Sequence, residues 1–117
     1  MSTPLVPITE NTFILPLIGN LTDERFEKIT ETVISSMNIS RADYLILDLS
    51  GLGTFNENTS PLIFRLNDLL KLLGTEMILT GISAKLAMKA AGSNNKLSSL
   101  TTFSSVQEAV KSFQKNE

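Results

Sequence analysis

The residues that could do chemistry lie in and beside one polar loop. Asp48 directly follows an apolar run, and Glu57 stands in the segment Thr54-Phe55-Asn56-Glu57-Asn58-Thr59. Two carboxylates of this kind could act as a general acid and a general base. The sequence gives neither a distance between Asp48 and Glu57 nor a third group to orient them, so we interpret both as structural residues.

The stretch Asp48-Leu49-Ser50-Gly51 matches the D-x-x-G pattern of nucleotide switch regions. A phosphate-binding loop of the form G-x-x-x-x-G-K-[ST] is missing from the sequence. An aspartate after a buried strand is more commonly a turn-forming residue that hydrogen-bonds nearby backbone. We therefore favour a turn at Asp48, and we keep GTP or ATP binding as the alternative function.

The composition narrows the chemistry further. The 117 residues include no His and no Cys, which excludes Ser-His and Cys-His nucleophile pairs and a zinc site with the usual ligands. We therefore predict a protein that is not an enzyme and that needs no metal and no cofactor. The net charge of −2, with basic and acidic residues intermixed, indicates no nucleic-acid partner.

The apolar segments are too short to cross a membrane. Phe13–Ile18 is among the longest of them, and the N-terminus lacks a basic segment followed by an apolar one. We predict a cytoplasmic protein without a membrane segment. The length favours a single domain over residues 1–117.

The polar loop connects a strand to a helix. Tyr44–Leu49 is an almost continuous apolar run, which is typical of a strand covered on both faces in a parallel sheet. A helix pattern follows Asn58-Thr59-Ser60-Pro61, and Gly74 ends it. The next strand, Glu76–Thr80, predicts a right-handed parallel crossover. Function in such sheets gathers at the carboxyl ends of the strands, where this loop lies.

The N-terminal part predicts a hairpin and a helix. Leu5–Ile8 and Thr12–Ile18 are short apolar segments with prolines, which favour a hairpin at the edge of a sheet. Thr22 is the expected N-cap of the first helix. The apolar residues that line one face of this helix are Phe26, Ile29, Val33 and Met37.

The C-terminal part continues the alternation. A short helix is expected through Leu86, Ala87 and Ala90, followed by a last strand near Leu100–Phe103. Ser104 and Gln107 match a capping box in front of the final helix, whose apolar residues are Val106, Ala109, Val110 and Phe113. The predicted fold class is α/β: one domain with a mixed sheet, a parallel centre, an N-terminal hairpin and about four helices.

The helix N-terminus after the loop has two interpretations. Its free N–H groups and the positive end of its dipole could receive an anion. Alternatively, Asn58 or Ser60 caps these groups and Glu57 adds a favourable charge. The residues alone leave both interpretations open.

Short motifs over nearly the whole chain resemble the STAS domain of bacterial anti-sigma factor antagonists. Those around the loop are Asp48–Leu52, Leu72–Glu76 and Ile78–Ile82. Those similar to RsbR-type stressosome proteins are Pro7–Thr9, Leu15–Gly19 and Thr22–Arg25. Those similar to the C-terminal STAS domain of LOV-STAS blue-light photoreceptors are Asp43–Ile46, Asn56–Glu57, Leu69–Leu72 and Glu76.

The resemblance implies a small sheet with a mostly parallel centre and helices packed on it. In phosphorylatable members, the loop before the second helix presents Asp followed by Ser or Thr, and a partner kinase modifies that hydroxyl. The corresponding positions here are Asn56 and Glu57, and the counterpart of a second acceptor Thr is Lys89. Glu57 thus carries a fixed negative charge where a phosphate would add about −1.5 to −2.

The resemblance also implies a function and partners. We expect a non-enzymatic signalling domain in the regulation of the general stress sigma factor. Its expected partners are other STAS-domain proteins, a serine/threonine kinase of the stress pathway and a second copy of the chain as a homodimer. Light sensing would need a separate module, because the chain has no photoactive Cys.

Docking is expected through the loop and the exposed side of the following helix. Phe55 would supply apolar contact unless it folds back into the core, and Glu57 would supply charge. The predicted partner-binding residues are Phe55, Asn56, Glu57, Asn58, Thr59 and Ser60.

Overall fold

The computed structural model describes residues 5–53, 59–82 and 100–114, which form five strands and three helices. In chain order these are β1 (Val6–Pro7), β2 (Thr12–Pro16), α1 (Asp23–Ser40), β3 (Tyr44–Asp48), α2 (Thr59–Leu72), β4 (Glu76–Thr80), β5 (Thr101–Phe103) and α3 (Val106–Gln114). The strands lie side by side in sequence order; β1 and β2 are antiparallel and all other neighbours are parallel. The predicted α/β class, parallel centre and N-terminal hairpin are confirmed. The helix expected through Leu86, Ala87 and Ala90 lies outside the described residues.

The two faces of the sheet form two separate cores. Side chains alternate along β3, so Leu45 and Leu47 pack with α1 and α2, whereas Ile46 packs with α3. The two described crossover helices, α1 and α2, lie on one face, as expected for right-handed crossovers between parallel strands that follow one another in order. The middle of the strand, Leu45–Leu47, is apolar throughout because both of its faces are covered.

The N-terminal hairpin lies at the edge of the sheet. Val6 pairs with Ile14 and Pro7 with Phe13, so β1 is an outer strand, where a proline leaves no ladder donor missing. Pro16 is the last residue of β2 and lies opposite Asp48 of β3. The prolines thus stand at positions where the sheet tolerates them.

Helix α1 has the predicted cap and buried face. The Thr22 hydroxyl accepts a hydrogen bond from the Arg25 N–H at 3.2 Å. The buried residues of α1 are Phe26, Ile29, Val33 and Met37. The helix ends at Arg41, a non-glycine residue in the left-handed conformation (φ 52°) whose N–H donates to the Met37 carbonyl at 2.8 Å.

Helix α2 ends as predicted, and the structure excludes one of its two expected cap residues. Gly74 (φ 79°) ends it: its N–H donates to the Lys71 carbonyl, and the Thr75 N–H donates to the Leu70 carbonyl, the paired bonds of a Schellman motif. Of the two residues expected to cap α2, Asn58 lies outside the described residues, and Ser60 is not the cap. It lies inside the first turn, is fully buried, and its hydroxyl has no hydrogen-bond partner among the described residues.

Helix α3 is capped one residue later than predicted. The Ser105 hydroxyl, not that of Ser104, accepts the N–H of the third helical residue, Glu108, at 3.2 Å. Ser104 instead donates its hydroxyl to the Glu108 carboxylate at 2.7 Å. The end of α3 covers the sheet through a stacked pair, Phe113 on Tyr44, with ring centroids 4.2 Å apart.

Candidate partner-docking site

The candidate site lies at the carboxyl ends of β2, β3 and β4. Three chain segments leave the sheet there, beginning at Leu17, Leu49 and Gly81. The middle one leads towards residues 54–58, which lie outside the described residues, so the structure gives no position for Phe55, Asn56, Glu57 or Asn58. What the structure does show is the framework from which this loop departs.

Asp48 is the polar centre of the framework. It lies opposite Thr80 in the parallel register of β3 and β4. The Thr80 hydroxyl donates to Asp48 Oδ1 at 2.9 Å, and the Ser50 hydroxyl donates to Asp48 Oδ2 at 2.7 Å. Asp48 is the last residue of β3, directly before a turn, and its carboxylate accepts hydrogen bonds from two side-chain hydroxyls where we expected backbone partners.

Gly81 packs directly against this centre. It has a positive φ of 76°, which disfavours any other residue. A Cβ atom here would lie 2.6 Å from the Ser50 nitrogen and 2.8 Å from Asp48 Oδ1. The backbone after β4 thus touches the backbone after β3, and only glycine allows this approach.

The segment after β3 is also bonded to the segment after β2. The Gly53 N–H donates to the Gly19 carbonyl at 2.7 Å, and the Gly19 N–H donates to the Gly51 carbonyl at 3.0 Å. Gly51 and Gly53 have close neighbours as well, since a Cβ would lie 3.2 Å from Ile18 Cγ1 at Gly51 and 3.1 Å from Asn20 Oδ1 at Gly53. The segment after β3, from which the loop departs, is therefore held by the segment after β2 as well as by the segment after β4.

The first turns of α1 and α2 are held in different ways. Arg25 of α1 donates from Nη1 to the Asn20 carbonyl at 2.9 Å, which ties α1 to the turn after β2. Thr59 and Ser60 open α2 and are buried, with 3% and 0% of their surface exposed. Of the six predicted docking residues, these two are described, and their side chains lie within the fold.

One ion pair joins the exposed surfaces of α1 and α2. Arg65 Nη2 lies 3.6 Å from Glu27 Oε1, and both side chains are more than half exposed, at 61% and 59%. At such exposure solvent screens the attraction, so the pair contributes at most about 1 kcal/mol. It leaves the outer face of α2 polar at this point.

The candidate site holds no cluster of metal ligands among the described residues, and the cavity beneath it is small. No group of three acidic, His or Cys side chains among them could hold a metal ion. The cavity beneath the site has about 10 Å³ of space, which is about the minimum needed to hold one water molecule. Its lining is entirely apolar: Leu17, Leu21, Phe26, Ile29, Leu47, Ile63 and Leu66. Within the described ranges, no helix is long and apolar enough to span a membrane.

Comparison with known proteins assigns the family. The family model of the STAS domain matches residues 3–109. The chain belongs to the STAS domain family. This confirms the resemblance that the sequence motifs carried.

The STAS relatives are longer proteins. The blue-light photoreceptor of Listeria monocytogenes is 47% identical over 110 residues, which make up 94% of this chain and 44% of the photoreceptor. The RsbT co-antagonist protein RsbRD of Bacillus subtilis is 33% identical over 94% of this chain and 40% of its own length. This STAS domain therefore spans less than half the length of either relative.

Solved structures share the STAS fold. A variant of RsbS from Moorella thermoacetica superposes with a TM-score of 0.81 at 18% identity, covering 98% of this chain and 97% of that one. A chain of the stressosome, described as a signal integration and transduction hub, gives a TM-score of 0.77 at 16% identity and 96% coverage of both chains. At such identities the likeness shows the fold alone.

The sequence reasoning missed the roles of Ser50, Thr80 and Gly81. A signal was present, because Asp48 ends one buried strand and Thr80-Gly81 ends the next. Strands of equal length in a parallel pair bring their last residues together. Two apolar runs of equal length, each ending in a polar residue, were the pattern that could have identified this cluster.

Proposed function

We propose that this STAS domain of RsbR and stressosome type is a non-enzymatic docking module in the regulation of the general stress sigma factor. Its partners in this proposal are other STAS-domain proteins and a serine/threonine kinase of the stress pathway. The docking surface is the segment from Phe55 to Asn58 with the exposed side of α2. Thr59 and Ser60 anchor this segment from within the fold.

The relatives support the general role. Three proteins named RsbT co-antagonists, RsbRD, RsbRB and RsbRA, share 33%, 28% and 24% identity with this chain over 110 residues each. The photoreceptor relative is more similar, at 47% identity. A domain common to a photoreceptor and to co-antagonists is best understood as the shared output part, whose task is to bind another protein.

The observation that carries the proposal is the rigid base beneath the loop. Hydrogen bonds from Gly53 to Gly19 and from Ser50 to Asp48 hold the chain up to the last described residue before the loop. A fixed base presents a short loop in one place, which lowers the entropy cost of binding. In this proposal Glu57 provides a permanent negative charge to the partner, in place of a phosphate that is added and removed.

Co-purification tests the proposal. The wild type, Glu57→Ala and Glu76→Ala would each be mixed with purified RsbRA, an RsbS-type STAS protein and a stress-pathway kinase. Glu76 is a matched control because it is an exposed glutamate at the opposite, amino end of β4. We expect the wild type and Glu76→Ala to bind at least one partner equally, and Glu57→Ala to bind at least about tenfold more weakly, a loss expected when a charged contact is removed.

Two outcomes would contradict this proposal. If none of the three proteins binds the wild type, the docking role is wrong. If Glu57→Ala binds as tightly as Glu76→Ala, docking uses another face of the domain.

A further inference from the structure

The Asp48 carboxylate is shared between two chain segments. Oδ2 accepts the hydroxyl of Ser50, on the segment that leads to the docking loop, at 2.7 Å. Oδ1 accepts the hydroxyl of Thr80, directly before the segment that leaves β4, at 2.9 Å. A carboxylate is planar and rigid, so a rotation that follows one hydroxyl moves the acceptor of the other.

Close packing removes the freedom for the two segments to move separately. Gly81 approaches Ser50 so closely that an added Cβ would lie 2.6 Å from the Ser50 nitrogen. The Leu49 N–H also donates to the Thr80 carbonyl at 2.8 Å, which continues the strand pairing beyond β3. Packed groups without free space between them shift together.

We propose that Asp48 is a positioning residue that couples the segment leaving β3 to the segment leaving β4, so that a displacement of one is transmitted to the other. The importance of this coupling for docking rests on the proposed function, but the coupling itself does not. A partner bound at the loop after β3 would thereby alter the corner at Gly81–Ile82, and the reverse.

At the opposite ends of β3 and β4, no side chain among the described residues accepts hydrogen bonds from both the segment before β3 and the segment before β4. There, the hydroxyl of Thr75 donates to a backbone carbonyl, that of Ala42, at 2.8 Å. A Cβ at Gly74 would meet nothing within 4 Å. Thr75 and Gly74 therefore serve as matched controls for Thr80 and Gly81, because they are the same residue types at the other end of β4.

Amide chemical shifts of the isotope-labelled domain test the coupling without any partner. We expect Ser50→Ala to shift the amide signals of Gly81 and Ile82, and Thr80→Val to shift those of Gly51 and Gly53. In an Asp48→Ala background, Ser50→Ala should shift Gly81 and Ile82 much less, because only the direct contact between Ser50 and Gly81 remains. If it shifts them by the same amount without Asp48, the effect is direct contact and the proposal is wrong.

Unfolding in urea provides a second, energetic test. Ser50→Ala and Thr80→Val should be non-additive, so that the double variant differs by about threefold or more in its unfolding equilibrium constant from the product of the single changes. Ser50→Ala with Thr75→Val should be additive, because the strand separates the two sites. Additivity in both pairs would overturn the proposal.

In the chemical-shift test, Asp48→Asn replaces Asp48→Ala if the latter fails to fold, because Asn keeps the size of the side chain and one acceptor oxygen.

Binding connects the coupling to function. In the co-purification series, Thr80→Val should weaken binding to the partner by about fivefold or more, a typical coupling effect. Thr75→Val should change it by less than about twofold. Equal effects of the two variants would show that Asp48 plays a structural role only. If the wild type binds no partner, the docking proposal fails while the chemical shifts still decide the coupling.

Discussion

The two ends of β4 use the same residue types for different purposes. Each has a threonine hydroxyl that bonds towards the β3 side, Thr75 to the Ala42 carbonyl and Thr80 to the Asp48 carboxylate. Each also has a glycine of positive φ, 79° at Gly74 and 76° at Gly81. At the amino end the acceptor is backbone and the glycine faces open space, whereas at the carboxyl end the acceptor is a side chain and the glycine is enclosed. The amino end only closes the fold, while the carboxyl end also sets the base of a loop.

The largest difference is expected between the two glycines. Gly81→Ala should destabilise the domain by about 2–4 kcal/mol, because left-handed strain adds to a collision with the Ser50 backbone. Gly74→Ala should cost only the strain, about 1 kcal/mol. Urea unfolding of both variants measures the difference, and equal losses would show that the carboxyl end yields as easily as the amino end.

The two threonines should differ in binding and not in stability. Thr75→Val removes a buried hydrogen bond to a backbone carbonyl, and Thr80→Val removes a part-buried one to a carboxylate. The charge of the carboxylate strengthens the second bond and its partial exposure weakens it, so each change should cost about 1–2 kcal/mol. Only Thr80→Val disturbs the carboxylate that also holds Ser50. Urea unfolding curves and partner affinities of both variants check this prediction. It fails if the two variants lose similar stability and also lose the same partner affinity.

A smaller effect, and a gain in stability, is expected at Arg41, near the amino end of β3. Arg41 ends α1 with a φ of 52°, which suits glycine and strains other residues. Arg41→Gly should raise the free energy of unfolding by about 1 kcal/mol, less the greater freedom of glycine in the unfolded chain. Thermal unfolding measures it. A loss of stability would mean that the Arg41 side chain makes a contribution larger than the strain.

The smallest expected effect is that of nucleotide. The nucleotide alternative would use the helix N-terminus after the loop, but the sequence lacks a phosphate-binding loop of the form G-x-x-x-x-G-K-[ST]. We expect calorimetric titration with GTP or ATP to give no saturable heat at micromolar concentration. Saturable heat that is lost in Asp48→Asn would support the alternative function and give the carboxyl end a ligand of its own.

Much of this fold follows from local patterns. The strand Glu76–Thr80 lies between two glycines, so its limits were predicted without error. The cap of α3 was missed by one residue because both Ser104-x-x-Gln107 and Ser105-x-x-Glu108 fit a capping box. The Glu108 carboxylate favours Ser105 as the cap, because it engages the Ser104 hydroxyl in a charge-assisted hydrogen bond.

The site was harder to predict than the fold. The role of Ser60 depends on how α2 starts, and residues buried inside a first turn look the same in sequence as residues that cap it. The hydroxyl partners of Asp48 come from Ser50, nearby in sequence, and Thr80, in a different strand. A single sequence reveals the first of these pairings far more readily than the second. The docking role of Phe55 and Glu57 depends on contacts with another molecule and stays a prediction.

The two-sided sheet has a consequence for synthesis on the ribosome. Ile46 and Ile78 are fully buried, and the described helix that covers them is α3, through residues such as Ala109. During translation, both isoleucines leave the exit tunnel well before α3 does. The nascent sheet therefore exposes an apolar stripe on this face until α3 emerges, and chaperones have that interval in which to bind it.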